Sequence, residues 1–157
     1  MINEVDICLI EWLKVQTIKS GLIQSLNCFH TQGGGIAKRI RDEFPSMYDA
    51  DVKHGRRGDR TKMGDFCVAE LLPDKFGFGV YGQYNFGYDK RYTSYDAICD
   101  GLTKVETYAV FNDIKQLGLP KNMGCTLGGG NWTIVRSIIE TIFLQSPVEL
   151  YICNYNA

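Results

Sequence analysis

Two runs of three glycines are the residues of this chain whose type and spacing most clearly suggest chemistry. They are Gly33, Gly34 and Gly35 in the first quarter and Gly128, Gly129 and Gly130 in the last. Each run lies between a short, mostly apolar stretch and a stretch with helical periodicity. The first turn of a helix presents unpaired backbone N–H groups and a partial positive charge, and glycine lets an anion approach them closely. Two such loops facing one cleft would suit a diphosphate, whereas either loop alone would be explained as a tight turn.

Neither glycine run matches the common nucleotide-binding motifs. Gly33 and Gly35 begin a G-x-G-x-x-G pattern, but Lys38 occupies its sixth position. The sequence also lacks the Gly-Lys-Ser or Gly-Lys-Thr ending of a Walker A loop. These absences exclude a Rossmann dinucleotide site and a P-loop nucleotide hydrolase.

Two histidines are the side chains that titrate near neutral pH when unperturbed. His30 lies three residues after Asn27 and just before the first glycine run, so it is either a general base for a water molecule or an exposed loop residue. His54 lies in a basic segment, residues 53–57, for which a solvated loop is favoured. The same segment is a weak signal for nucleic-acid contact because glycine interrupts its charges.

Other polar side chains offer fewer indications of chemistry. Gln83 either orients a water molecule or a phosphate, or simply covers an edge strand. Cys28 and Cys125 lie beside the glycine runs, but neither has a positioned base next to it that would make it a nucleophile. No cluster of His, Cys or carboxylate residues indicates a metal, and we expect no cofactor.

The elements that must position these residues follow from the spacing of apolar side chains. Residues 22–27 are predicted to form a strand and residues 36–44 a helix that stops at Pro45. The second glycine run follows residues 119–123 and opens a helix near Trp132. Further predicted elements are a helix over about residues 93–115, stopped by Gly118, and strands at residues 2–7, 66–72, 79–81 and 148–153. This alternation predicts an α/β fold, a three-layer α/β/α sandwich with a mixed, largely parallel central sheet, and both glycine loops fall where such sheets bind ligands.

Composition sets further limits. The chain has 157 residues, enough for one domain over residues 1–157, and a formal net charge of -1 that provides no global field for a polyanion. No apolar run approaches the roughly 20 residues of a membrane span, and the charged N-terminal stretch is unlike a secretory signal. The six cysteines form no C-x-x-C pair, so we expect reduced thiols and a cytoplasmic protein.

Residues 27–37 and 123–132 together resemble the macro domain family. The similarity is to the branch that contains ADP-ribose 1″-phosphate phosphatases and ADP-ribosyl-ester hydrolases. It extends over nearly the whole chain, from Asp6 through residues 82–83 and 93–95 to the final strand. The resemblance implies a macro domain fold and ADP-ribose or its derivatives as the ligand, with no membrane partner and no nucleic-acid partner unless it is ADP-ribosylated.

The resemblance also implies roles for individual residues. Asp6 would accept a hydrogen bond from the adenine amino group, Ile7 would add a backbone contact, and Asn27 would face the distal ribose. Trp132 would anchor its helix in the core. The phosphates and ribose would be enclosed by Gly33, Gly34, Gly35 and Ile36 on one side, and by Gly124, Cys125, Thr126, Leu127, Gly128, Gly129, Gly130 and Asn131 on the other.

Several positions depart from the family pattern. Gln24 stands where phosphatase relatives carry a catalytic His, and Gly128 and Gln83 stand where ester hydrolases carry an Asp and a Lys. Thr126 replaces a usual Gly, and the first strand is followed by extra residues around 9–21. The resemblance therefore supports ligand binding more strongly than any particular chemistry.

These observations predict a macro domain that hydrolyses ADP-ribose 1″-phosphate to ADP-ribose and phosphate. His30, or Asn27 together with Gln83, would assist the attacking water. Two alternatives stay open: a hydrolase that removes ADP-ribose from modified protein or nucleic acid, and a reader that binds ADP-ribose without catalysis.

Overall fold

The computed structural model describes residues 1–155 as a six-stranded sheet with helices on both faces. The strands are β1 (Ile2–Val5), β2 (Ser20–Leu26), β3 (Phe66–Leu72), β4 (Lys75–Tyr81), β5 (Gln116–Pro120) and β6 (Glu149–Cys153). The helices are α1 (Leu9–Lys14), α2 (Gly35–Glu43), α3 (Pro45–His54), α4 (Tyr95–Phe111) and α5 (Trp132–Phe143), with a short 3₁₀ turn at Arg60–Lys62.

The sheet is mixed and largely parallel, as the sequence predicts. Its strand order is β1-β6-β5-β2-β4-β3, and every neighbouring pair is parallel except β3 and β4, which form an antiparallel hairpin. One apolar cluster packs α4 and α5 on the first face, with Leu102, Ile139 and Phe143 at its centre. A second cluster packs α1, α2 and α3 on the other face, around Leu13 and Met47. The three-layer prediction is therefore confirmed.

Some predicted boundaries are wrong, and the reasons are local. α4 ends at Phe111, four residues before the predicted Lys115, because Asn112 caps it and Asp113 adopts a left-handed φ of 61°. Gly118 stops no helix but lies inside β5, where an added Cβ would meet Cζ3 of Trp12 at 2.6 Å. Glycine is required there because α1 packs directly on the strand.

Two further elements differ from the prediction. Pro45 follows the end of α2 but also opens α3 as its first residue, a position where the missing N–H of proline has no helical partner to lose. The extra residues after β1 form α1, whose Leu9, Ile10, Trp12 and Leu13 are buried. Within the described residues, no helix combines the length and apolar character that crossing a bilayer requires.

Candidate functional site

A cleft lies at the carboxyl ends of β2, β5 and β6, and two adjoining cavities fill it. The first cavity has a volume of about 490 Å³ and the second about 300 Å³. Both are lined by Ser25, Gly34, Ala37, Gln83 and Leu127, which form the boundary between them. The hydroxyl of Ser25 is buried without a hydrogen-bond partner among the described residues. The cleft therefore offers a free polar group where the two cavities meet.

The first glycine loop, residues 27–34, brings the N-terminus of α2 to this cleft. Gly34 is the N-cap residue, no side chain caps the helix, and its first turn carries no acidic residue. Within residues 1–155, the backbone N–H groups of Gly35, Ile36 and Ala37 have no hydrogen-bond acceptor, and all three residues line the first cavity. Gly35 has a φ of 56°, and a Cβ built on it meets nothing within 4 Å. This helix end is therefore open to an anion.

The second glycine loop, residues 121–131, is anchored by hydrogen bonds from residues 92 and 93. The carbonyl of Gly128 accepts from the backbone N–H groups of Tyr92 and Thr93, and the carbonyl of Gly124 accepts from the Thr93 hydroxyl at 2.6 Å. In the described part of the chain, the N–H groups of Thr126, Leu127 and Gly128 have no acceptor, and these residues also line the first cavity. A second row of unpaired amides thus belongs to the same cavity as the first.

The two glycine loops approach each other closely. A Cβ on Gly34 would lie 2.8 Å from Cδ1 of Leu127. Both loops line the first cavity, so the structure brings the two glycine runs to one shared hollow.

The structure separates the residues predicted to bind ligand into two groups. Those that line a cavity are Asn27, Gly33, Gly34, Gly35, Ile36, Gln83, Gly124, Thr126, Leu127 and Gly128. Those that line neither cavity are Asp6, Ile7, His30, Cys125, Gly129, Gly130 and Asn131.

Three residues of the second group, Gly129, Gly130 and Asn131, stabilise the second glycine loop and the start of α5. The Asn131 side chain accepts from the Thr133 N–H at 2.9 Å and caps α5, and the Gly130 N–H donates to the Gly124 carbonyl. Gly129 has a φ of 71°, and its Cβ position faces the backbone of Arg91 at 3.2 Å. These contacts maintain the shape of the second glycine loop, most of whose other residues line the first cavity. Trp132 packs partly buried against the core, as the resemblance implied.

Asp6 lies exposed just beyond β1, at the rim of the first cavity. The Asn154 side chain, which lines that cavity, donates to the Asp6 carboxylate at 3.4 Å. Cys8 and Leu9, one and two residues beyond Ile7, provide the wall itself. The Asp6 carboxylate is therefore exposed at this rim.

His30 turns away from both cavities. Its Nε2 lies 3.0 Å from the Nζ atom of Lys62, a side chain that is 3% exposed. An ammonium group has only hydrogens to offer, so Nε2 is the acceptor. The backbone of His30 has a left-handed φ of 56°. In this arrangement the imidazole holds a buried cation. Gln24, at the family's histidine position, is fully buried in β2 and also lines neither cavity.

The second cavity holds the polar side chains of Asn27 and Gln83. The Asn27 Nδ2 group donates to Thr31 Oγ1 at 2.7 Å, and its Oδ1 accepts from the Phe29 N–H at 2.8 Å. Asn27 is thereby fixed. The Gln83 Nε2 group donates to the Asn85 carbonyl at 2.9 Å, which leaves its Oε1 beside Gly128.

Three charged lining residues were missed by the sequence analysis. Arg39 and Lys121 line the first cavity, and Asp51 lines the second. Lys121 directly follows β5, so the rule that ligands bind beyond the carboxyl ends of strands could have identified it. Arg39 lies one helical turn after Gly35, on the face that reaches the site. Nothing in the local sequence of α3 marks Asp51, because only tertiary packing places it there.

Three cysteines near the cleft, Cys28, Cys125 and Cys153, are poorly suited to act as nucleophiles. Burial raises the pKa of the Cys125 thiol to about 11 and that of the Cys153 thiol to about 12. Burial also raises the pKa of Cys28. Because the thiolate is the reactive form, these thiols stay inert at neutral pH. Among residues 1–155, no group of three or more His, Cys, Asp or Glu side chains could hold a metal ion.

Comparison with known sequences identifies one curated relative at high significance. The chain is 29% identical, over 132 residues, to an uncharacterized 17.5 kDa protein from the tk-vs intergenic region of Enterobacteria phage T4, covering 82% of each chain. No family model matches the sequence.

Comparison with solved structures identifies macrodomains. The macrodomain of Mycobacterium tuberculosis DarG superposes with a TM-score of 0.80 at 21% identity, covering 100% of this chain and 99% of that one. A protein of unknown function from Bacteroides thetaiotaomicron gives a TM-score of 0.87 at 15% identity, covering 98% of both chains. Thermosipho africanus DarTG, solved in complex with ADP-ribose, gives 0.67 at 22% identity over 87% of this chain and 38% of that one. The chain therefore has the macrodomain fold.

Proposed function

We propose that this chain, which has the macrodomain fold, binds ADP-ribose derivatives in the cleft and hydrolyses the bond at C1″ of the distal ribose. The observation that carries the proposal is the pair of unpaired amide rows, from the first turn of α2 and from the second glycine loop, that line one cavity. Backbone N–H groups from two sides suit a linked pair of phosphates. The solved complex of Thermosipho africanus DarTG with ADP-ribose supports the ligand class.

The charges in the cleft support one orientation of the ligand. Arg39 and Lys121 line the first cavity and complement a diphosphate. Asp6 and Asn154, at the rim of that cavity, would then meet the adenine, and the second cavity would receive the distal ribose. Volumes of about 490 and 300 Å³ are within the usual range for ligand pockets.

The charge of the second cavity favours a substituent at C1″ that is uncharged while it is bonded to the ribose. Among the described residues, no Lys, Arg or His side chain lines this cavity, whereas the Asp51 carboxylate does. A phosphate at C1″ would meet this carboxylate with no opposing cation. Removal of ADP-ribose from a modified protein or nucleic acid is therefore the favoured reaction. Hydrolysis of ADP-ribose 1″-phosphate is the second candidate, supported by Gly33 and Gly34, whose backbone reaches the same cavity.

Hydrolysis would proceed by attack of water on C1″. The bond from C1″ to the substituent breaks, the substituent leaves with the bonding electrons and takes up a proton, and ADP-ribose keeps the hydroxyl. Asn27 and Gln83 line the cavity where this occurs, and Gln83 Oε1 is available to position the water. His30 would have to release Lys62 before it served as a base, so Gln83 and Asn27 are the better candidates.

The proposal is tested by incubating the protein with three probes. These are ADP-ribose 1″-phosphate, a protein ADP-ribosylated on acidic side chains, and an ADP-ribosylated oligonucleotide. We expect release of free ADP-ribose from a modified acceptor, at a rate well above that from the 1″-phosphate. No turnover of any probe by a protein that binds ADP-ribose would contradict the hydrolase and identify a reader. Absence of ADP-ribose binding would contradict the whole proposal.

A further inference from the structure

The floor of the second cavity contains a buried carboxylate that the proposed reaction does not use. Asp51, on α3, is 1% exposed and lines this cavity. Its Oδ1 accepts from the Tyr81 hydroxyl at 2.7 Å, and its Oδ2 accepts from the Gln32 Nε2 group at 3.0 Å. A buried carboxylate is expensive to maintain unless its oxygens are satisfied, and these two bonds fix its position.

The bonds to Asp51 direct donor groups of both neighbours toward the carboxylate. A tyrosine hydroxyl has one hydrogen, and here it points to the carboxylate. Burial, with Cys67 and Asp51 nearby, raises the pKa of Tyr81, so that hydrogen stays in place. Gln32 must direct its NH₂ group toward the carboxylate, which fixes the orientation of its amide.

This orientation leaves an unpaired acceptor at the same cavity. Gln32 is 4% exposed, lines the second cavity, and its Oε1 has no hydrogen-bond partner among the described residues. Its backbone has a left-handed φ of 40°, a strained conformation for a residue other than glycine. The floor formed by Asp51 and Gln32 therefore offers lone pairs and negative charge, which suit a ligand that carries hydrogen-bond donors.

The nearest buried cation, Lys62, does not contribute a positive charge to the lining of the second cavity. Lys62 Nζ lies 5.3 Å from the centre of the Tyr81 ring, but it bonds to His30 Nε2 and does not line the cavity. Arg41, which donates to the Thr31 carbonyl, does not line it either. Among the described residues, no Lys, Arg or His side chain of this cavity therefore opposes the Asp51 carboxylate.

We propose that Asp51, with Gln32, is a specificity-determining pair that binds hydroxyl groups of the distal ribose and rejects an anionic substituent at C1″. This inference rests on the proposed function, because it assumes that the distal ribose enters the second cavity. Asp51 and Gln32 would determine which substituent at C1″ is accepted. The discrimination would therefore be seen in ligand binding, before any bond is broken.

The test is a calorimetric titration of the full chain with ADP-ribose and with a non-hydrolysable phosphonate analogue of its 1″-phosphate, in about 50 mM salt to limit screening. We expect the wild-type protein to bind ADP-ribose at least about tenfold more tightly than the phosphonate. Asp51→Asn keeps the shape of the side chain and can pair with a flipped Gln32, and it should reduce this preference to about twofold by strengthening phosphonate binding. Asp49→Asn is the control, because it removes an exposed charge from the same helix and should leave the preference unchanged.

The outcomes separate the two proposals. Equal affinity of the wild-type protein for both ligands, or an unchanged preference in Asp51→Asn, would overturn the inference while ADP-ribose binding stands. Failure to bind ADP-ribose at all would overturn the proposed function and the inference with it. If Asp51→Asn does not fold, the wild-type protein is titrated with analogues that lack each distal hydroxyl in turn. At least one should bind about tenfold more weakly, and equal affinities would contradict the pair's role.

Discussion

Gly34 of the first glycine loop lies so close to Leu127 of the second that a Cβ atom on Gly34 would be 2.8 Å from Leu127 Cδ1. These two residues belong to segments more than 90 positions apart in the sequence, and both line both cavities. Their contact joins the two glycine loops at the boundary between the cavities. These two residues border the passage between the cavities. The passage is open because Gly34 has no side chain, and its width depends on the rotamer of Leu127.

This contact predicts a loss of binding that a second substitution restores. Gly34→Ala is compatible with the extended backbone at that position, so the free energy of unfolding should change by less than about 1 kcal/mol. The new methyl group should push Leu127 into the passage and weaken ADP-ribose binding about tenfold. Gly34→Ala with Leu127→Ala should recover most of the affinity, because the clash is removed. Calorimetry on the single and double variants is the measurement, and additive losses would contradict the steric explanation.

Arg39 should contribute to affinity through its charge. It lines the first cavity and stacks over the ring of Tyr155, with 5.4 Å from Cζ to the ring centre. Arg39→Ala should weaken ADP-ribose binding about fivefold, equivalent to roughly 1 kcal/mol for a partly exposed ion pair, and the loss should shrink at high salt. Lys38→Ala is the matched control, since Lys38 pairs with Asp42 in solvent and lines neither cavity. Equal losses in both variants would indicate a general charge effect.

His30 and Gln83 should respond differently when each is replaced. Asparagine tolerates a left-handed backbone and offers an acceptor for Lys62, so His30→Asn should keep hydrolysis within about threefold of wild type. Gln83→Leu should lower kcat about tenfold or more, with a smaller change in KM, because the side chain lines the cavity that we propose for the distal ribose. A loss of about 100-fold or more in His30→Asn would instead restore His30 as the general base.

The sequence predicted the parts of this fold that depend on local pattern. β3 has the predicted bounds, and α5 begins at Trp132 because Asn131 caps it. It did not predict α1, a helix of six residues, since so short an apolar segment has no decisive periodicity. Gly118 was misread for a related reason: its need for glycine comes from Trp12 of α1, a contact that no local pattern reveals.

In the candidate site, too, the features that depend on local sequence were predicted and those that depend on tertiary packing were not. The two glycine loops were identified because strand, glycine run and helix follow one another in the sequence. Asp51 and Arg39 were not, because their positions depend on how α3 and α2 pack against the sheet. His30 was selected for its place in the sequence, but its left-handed backbone and the buried Lys62 direct its ring elsewhere.

Buried thiols should make the stability of the protein fall in alkaline solution. Burial raises the pKa of both Cys67 and Cys153 from 9.0 to about 12. Below pH 9 these thiols are protonated in both states, so they do not affect the pH dependence there. Between pH 9 and 12 the unfolded chain loses protons that the folded chain keeps, and the free energy of unfolding should fall by roughly 1.4 kcal/mol per pH unit for each thiol.

Urea denaturation in reducing buffer at several pH values measures this effect. Cys153→Ala should show a shallower decline above pH 9 than the wild-type protein, even if its stability at neutral pH is lower. Parallel curves for the two proteins would mean that Cys153 ionises equally easily in the folded and unfolded states.

The central claim, that two facing rows of backbone amides bind a diphosphate, is tested most directly by titrating the wild-type protein with ADP-ribose and with AMP. AMP keeps the adenine and one phosphate but cannot occupy both rows. We predict that ADP-ribose binds at least about tenfold more tightly than AMP, with a Kd in the micromolar range. Equal affinities for the two ligands, or no binding of either, would contradict the account.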